Sequence, residues 1–265
     1  PYISRIHSIK KSTNEVIEAL QHEKFDYIVD LHKNLRSRRV KQKLKALSFS
    51  FDKLNWQKWL LVNLKINRMP EIHIVDRYLH SVKALGIEND GLGLDYFLPE
   101  DIEDKELLPS SFPKTYIGLV LGATHATKRL PQEKFKELVT LLKDPVVLIG
   151  GKEDNPLGIE LEKIHPERIF NAAGKMSLNE SAVLLKKAST VITHDTGMMH
   201  IAAAFQKKII SIWGNTVPEF GMYPYLNDKN KSSFTVIENN SLSCRPCSKI
   251  GFDKCPKGHF KCMED

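Results

Sequence analysis

In the second half of the chain, short continuous apolar runs alternate with amphipathic stretches. Residues 116–121, 146–149, 168–170, 191–194 and 209–214 are such runs. Apolar runs of this length, bounded by turn residues, read as strands buried on both faces. The stretches between them, 132–142, 156–164 and 178–188, carry apolar residues at helical spacing. Ser177 and Glu180 have the spacing of a capping box at the start of the last one. The first half has the same rhythm. A strand is expected at 1–7, a helix at 13–24 with Val16, Ile17 and Leu20 as its stripe, and a strand at 25–30. A helix at 36–45 follows, with Val40, Leu44 and Leu47 as a thin seam, then a strand at 46–51 and a short amphipathic piece at 56–62. A helix at 71–85 is stopped by Gly86. Alternation of this kind predicts an α/β fold with parallel sheets. Residues 99–114 are acidic and then rich in proline and serine. They mark a domain boundary, giving domains 1–109 and 110–265.

One stretch organises the second half. In residues 191–200 an apolar run ends in Asp195-Thr196-Gly197, and a helix with small apolar residues starts at once. The N-terminus of such a helix, at the carboxyl end of a parallel strand, suits a phosphate group, or else Asp195 or Thr196 merely caps it. Three more loops, 122–128, 150–153 and 174–176, fall at strand ends on the same sheet edge. They bring Thr124, Lys128, Glu153 and Met176: hydroxyl, ammonium, carboxylate and apolar padding for a nucleotide.

Composition narrows the choice. The 265 residues are 42% hydrophobic and 27% charged, as in a globular chain with a sizeable core. No apolar run reaches membrane-span length. The net charge of +7 is uneven: residues 33–45 hold seven bases and no acid, which favours an anionic partner. No dinucleotide fingerprint, P-loop, zinc-protease or nucleophile-elbow motif occurs. All four cysteines lie beyond residue 243. Cys244, Cys247, Cys255 and Cys262 are compatible with a zinc site, with plain thiols or with disulfides.

The stretch Asp195-Thr196-Gly197-x-x-His200, with Ala202, Ala203 and Ala204, resembles the motif of glycosyltransferase family 9, the ADP-heptose:lipopolysaccharide heptosyltransferases. Residues 122–124 with 128–131, 151–153, 175–178 and 30–37 are similar to that family's other motifs. The resemblance implies a GT-B fold of two Rossmann-like domains facing a cleft, with an acceptor-side domain first and a donor-binding domain second. It implies inverting, metal-independent transfer of heptose from ADP-heptose to the inner core of lipopolysaccharide, with no cofactor. By the same resemblance Lys128 and Thr124 meet the diphosphate, and Glu153 the ribose. Met176 meets adenine, while Thr196, Gly197 and His200 line the diphosphate and sugar. Lys128 and Asp195 are the catalytic candidates, and Asp195 holds sugar hydroxyls. Arg36, Arg38 and Arg39 are candidates for the phosphorylated Kdo-lipid A acceptor and for peripheral membrane contact. The cytoplasm, at the inner face of the inner membrane, is the expected location. The family's opening strand and Ser-x-Gly-Asp loop, whose aspartate serves as base, have no counterpart here. The first domain is therefore expected to lack a βα unit, and the chain to bind donor without turnover. Competing readings are an epimerase-type or silent sugar-nucleotide binder and a nucleic-acid module. The basic helix has no aromatic residue to support the latter.

Overall fold

The computed structural model describes residues 2–265 and divides them into two compact units. One holds Ile74–Asn89 with the chain up to Asn55; the other holds Trp56–His73 and Asp90–Asp265.

In the first unit, helix α1 (Asn14–His22) precedes strand β1 (Tyr27–Asp30). Helix α2 (Leu35–Leu44) then leads to strand β2 (Leu47–Ser50), which pairs parallel to β1. α2 starts where expected because Asn34 and Ser37 cap it reciprocally, and it ends at Lys45 in the left-handed conformation. Leu47 therefore leaves the helical seam and lies exposed on β2. Residues 2–7 form no strand, and Pro1 lies outside the described residues. Short helix α3 (Asn55–Trp59) runs into a turn of π-helix, Leu60–Leu64. The helix expected at 71–85 is shorter: α4 (Ile74–His80), then a 3₁₀ turn Lys83–Leu85. Gly86, at φ +73°, ends it as foreseen.

The second unit carries a six-stranded parallel sheet. Its elements in chain order are α5 (Glu100–Glu103), β3 (Ile117–Val120), α6 (Gln132–Leu141), β4 (Val146–Ile149), α7 (Asn155–Glu162) and β5 (Ile169–Asn171). There follow α8 (Leu178–Lys187), β6 (Thr190–His194), α9 (Gly197–Ala204), β7 (Lys208–Trp213), β8 (Phe234–Glu238) and α10 (Lys261–Glu264). The strand order is β5-β4-β3-β6-β7-β8, so the chain reverses its direction of progress between β3 and β6. Side chains alternate between faces. Ile117 and Leu119 pack with Phe135, Val139 and Leu161 of α6 and α7, whereas Val120 packs with Leu184, Leu185, Met199 and Ala202 of α8 and α9. Both faces are buried, which is why β3 and β4 read as unbroken apolar runs; β6 buries Thr193 and His194 as well as Val191 and Ile192. The capping box of Ser177 and Glu180 is present on α8.

The acidic stretch 99–114 does not separate the units. Glu103 pairs with Lys186 and Lys105 with Glu180, both on α8, and Leu107, Leu108 and Phe112 pack against the core. Along the chain the two units alternate at 55/56, 73/74 and 89/90.

Candidate functional site

The reversal between β3 and β6 leaves a crevice at the carboxyl ends of these two strands, where doubly wound sheets bind ligands. The loop after β3 bears Lys128; β6 runs directly into Asp195. Lys128 Nζ stands 2.5 Å from Asp195 Oδ2 and 3.4 Å from the Asp195 carbonyl oxygen. The two side chains are 15% and 11% exposed, so little solvent screens the pair. Thr216, from the loop after β7, donates its hydroxyl to the same Oδ2 at 2.9 Å. Asp195 Oδ1 is thereby left as the acceptor that remains available.

α9 begins next to this pair. Its N-cap, Thr196, makes no side-chain hydrogen bond to the helix, so the first N–H groups keep their positive end uncovered. At Gly197 an added Cβ would meet open space, leaving room over the helix start. His200 lies one turn in. Burial and the Lys128 ammonium lower its pKa while Asp195 raises it, and the net effect favours the neutral ring.

Beneath the crevice a second network fixes the loops. Asp154, buried, accepts from the Gly151 N–H at 2.8 Å and pairs with Arg129 at 3.5 Å. Burial pushes its carboxyl up against these partners. Any Cβ at Gly122 or Gly150 would come within 2.2 Å or 2.7 Å of its carboxylate, so two of the loop glycines are demanded by this buried acid. Arg129 also donates to the Ala123 carbonyl at 2.6 Å. His194, 1% exposed, accepts the Leu130 N–H at Nε2 and packs edge-on against Phe135. Burial first, and Arg129 second, depress its pKa to about 3, so it is held neutral.

The structure thus joins Lys128 with Asp195 and sets His200 within their field. Thr124 and Glu153 are exposed, and their side chains have no hydrogen-bond partner among the described residues. Glu153 occupies a 3₁₀ turn, Lys152–Asp154, after β4. Met176 is half-buried against the core cluster that includes α8 and α9. All three sit at carboxyl ends of strands on the sheet edge that bears the pair. Thr216, Arg129, Asp154 and Arg245 are absent from the sequence-level candidates. Arg245, 8% exposed, donates to the carbonyls of Gly214, Trp213 and Thr216 and pairs with Glu238 at 2.8 Å. Nothing local in the sequence distinguishes it from a surface arginine.

In the first unit Arg36, Arg38 and Arg39 are exposed on α2. A cavity of about 620 Å³ at the end of β1 is lined by Asp30, His32, Arg36, Ser37 and Lys41 among others; Arg38 and Arg39 stand outside its lining. Asp30 shapes this loop. Burial alone raises its pKa, but the N–H groups of Lys33 and His32, the Ser37 hydroxyl and Lys41 outweigh it and hold the carboxyl at about 2.

The model of glycosyltransferase family 9 (heptosyltransferase) matches residues 14–251. Lipooligosaccharide heptosyltransferase 2 of Haemophilus influenzae is 30% identical over 215 residues, 72% of this chain and 60% of the relative. The chain therefore spans less than two thirds of that relative's length. Among solved structures, E. coli ADP-heptose lps heptosyltransferase II has a TM-score of 0.63 at 20% identity, covering 94% of this chain and 78% of that one. E. coli heptosyltransferase WaaC with ADP has a TM-score of 0.60 at 24% identity, covering 84% and 69%. At these identities the likeness speaks to the fold, which is the GT-B class. With the Asp195-Thr196-Gly197 turn at the sheet's reversal point and a family match over most of its length, this chain belongs to glycosyltransferase family 9, the heptosyltransferase family.

Proposed function

We propose that the second unit binds ADP-heptose and that the protein transfers the heptose to the phosphorylated Kdo-lipid A inner core of lipopolysaccharide, with inversion and without a catalytic metal. The observation that carries this reading is the Lys128–Asp195–Thr216 cluster beside the uncapped start of α9. In the transfer, the acceptor hydroxyl oxygen bonds to the anomeric carbon as the bond from that carbon to the diphosphate oxygen breaks. ADP leaves with the electron pair, and the acceptor's proton goes to a base. Negative charge then grows on the diphosphate. An ammonium and a helix N-terminus already in place stabilise it without reorganisation. Lys128 has three donors, so it can hold Asp195 and reach a phosphate oxygen at once. A carboxylate beside a diphosphate is repulsive on its own; the lysine between them removes that objection. It also leaves Asp195 Oδ1 for the sugar hydroxyls. Thr124 supplies a hydroxyl to the diphosphate, Glu153 accepts from the ribose, and Met176 lies under adenine. Thr196, Gly197 and neutral His200 complete the wall around diphosphate and sugar.

On the first unit, Arg36, Arg38 and Arg39 meet the acceptor's phosphates and the anionic membrane surface at the cytoplasmic face. Arg36 is the one that lines a cavity. No described helix is long and apolar enough to cross a membrane. Donor choice is tested by thermal shift with ADP-heptose and with UDP- and GDP-sugars. A selective response to ADP-heptose is expected; a selective response to a UDP-sugar would overturn the assignment. Charge reversal at all three arginines is expected to abolish binding to acceptor-bearing vesicles, and unchanged binding would remove them from the acceptor site.

A further inference from the structure

Tryptophan is a residue that folded chains mostly cover, and Trp213 is buried. Trp56 and Trp59 are not: they are 64% and 46% exposed. They stand about one turn apart on α3, and their rings stack with centroids 5.2 Å apart and planes 7° apart. Stacking hides one face of each ring and leaves the other to solvent. The turn of π-helix that follows ends in Leu64, and Ile66 lies just beyond it; both are exposed. Residues 56–66 thus leave two indoles and two aliphatic side chains uncovered on one short segment.

The other side of the segment is anchored. Leu61 is buried with Val217 and Phe220, and Val62, Met69 and Met222 pack around them. Lys65 Nζ donates to the Val62 carbonyl at 2.8 Å and to those of Cys244 and Pro246 at 3.0 and 2.7 Å. The Asn63 amide donates to the Trp59 carbonyl at 2.9 Å. The exposed apolar side is therefore held in a fixed position. Val217 directly follows Thr216, whose hydroxyl binds Asp195, so this surface is tied to the loop that braces the donor site.

The charges along it have one sign. Residues 56–70 include Lys58, Lys65 and Arg68 and no acid; the nearest acids along the chain are Asp52 and Glu71. The exposed Lys257 stands near enough to act on the Lys65 ammonium. Indole rings and aliphatic side chains beside cations, with no carboxylate, match the boundary between acyl chains and anionic headgroups. A second copy of the same surface would bring these cations against their own kind, with no acid to meet them.

We propose that residues 56–66 seat the protein on an anionic lipid bilayer: Trp56, Trp59, Leu64 and Ile66 enter the interfacial layer, and Lys58 and Arg68 meet its phosphates. The segment is much shorter than the ~20 residues of a span, so it lies in the surface. It is distinct from the α2 arginines and needs no donor. Joined to the transfer reaction proposed above, it sets the Thr216 loop beside the layer that carries a lipid-borne acceptor.

The test uses the full chain and vesicles of phosphatidylethanolamine and phosphatidylglycerol, without nucleotide. Trp213 is buried, so changes in indole emission report the two exposed rings. Emission should move to the blue on adding vesicles, and brominated acyl chains should quench it. Phosphatidylcholine vesicles should bind at least tenfold more weakly, and salt should weaken binding to the anionic ones. Trp56→Ser/Trp59→Ser should weaken partition to anionic vesicles at least tenfold while the thermal melt holds, and Trp56→Phe/Trp59→Phe should keep most of it. Lys58→Glu/Arg68→Glu should weaken it severalfold. Binding that the serine pair leaves unchanged, as binding through the α2 arginines alone would be, overturns the proposal. So does vesicle binding without quenching by brominated lipid, or a dimer that the serine pair dissolves and lipid does not displace. Failure of the donor panel above leaves these readings intact, because no nucleotide enters them.

Discussion

Replacing Lys128 by methionine keeps the length of the side chain and removes its charge. The ammonium stands 2.5 Å from a carboxylate, and both groups are largely shielded. At an effective dielectric of ~20 that separation corresponds to a gross attraction of about 7 kcal/mol, most of which is offset by desolvation of the two ions. Removing one partner of such a pair costs about 3–5 kcal/mol, because the other charge stays behind. Thr216 still donates to Asp195, so the expected loss of stability is at the low end, about 3 kcal/mol. ADP binding loses a charge-assisted hydrogen bond worth roughly 1.5–3 kcal/mol, a weakening of about ten- to a hundredfold. Asp195→Asn acts with the opposite sign on ADP: it removes a negative charge beside the diphosphate, so ADP affinity holds or rises. The double variant should recover about 2 kcal/mol of the stability lost in Lys128→Met without recovering ADP affinity. Urea denaturation reads the stability and isothermal titration reads the binding. A folded Lys128→Met protein that binds ADP within about threefold of the parent would refute the reasoning, since such a difference is under 1 kcal/mol.

Two glycines should respond in opposite ways. Gly197→Ala meets open space, so thermal stability should hold or rise by a few tenths of a kcal/mol while the new methyl group blocks donor binding. Gly122→Ala drives a methyl into the buried Asp154 carboxylate and should cost on the order of 2 kcal/mol or more in the same melts. Asp30 is held at about 2 against an ordinary 3.8, so its stabilisation is present above pH 4 and lost as pH falls toward 2. Asp30→Asn should forfeit roughly 2 kcal/mol at neutral pH, and denaturation of that variant should flatten over this window. His194 is held neutral with its pKa at about 3, whereas the unfolded chain takes up the proton near 6.5. Stability should therefore fall as pH drops below 6.5, by up to about 1.4 kcal/mol per unit. His194→Gln, which can still accept the Leu130 N–H, should remove that slope; an unchanged acid profile would show that His194 is not its source.

The local rules that shaped this fold were legible wherever one segment decides its own state. β4 falls on residues 146–149 because an apolar run of four between turns has no competing use. The cap at Ser177 and the stop at Gly86 are set by single side chains. β8 was not anticipated: it alternates half-buried with exposed residues at the sheet's edge, and its sequence, FTVIE, lacks the apolar run of a central strand. Of the strand expected at 1–7, residues 2–7 form none, because a short apolar stretch does not itself supply a partner strand to pair with. At the site, the Asp195-Thr196-Gly197 turn was visible because a strand end, a tight turn and a helix start are contiguous. Lys128 was visible only as one of many lysines until tertiary structure brought it across 67 positions to Asp195.

The amino-acid sequence by itself determined the alternation of strands and helices, the edge on which the loops open, and the family. Each follows from side-chain period, caps and short motifs that act over a few residues. Only the tertiary structure decided that Asp195 is neutralised by Lys128 and braced by Thr216. It also decided that Asp154 requires glycine at 122 and 150, and that Arg245 holds the carbonyls of Gly214 and Thr216 in the loop after β7. These depend on groups distant in sequence meeting where water is excluded. There a charge must find a partner, and the chain's order does not reveal which one it finds.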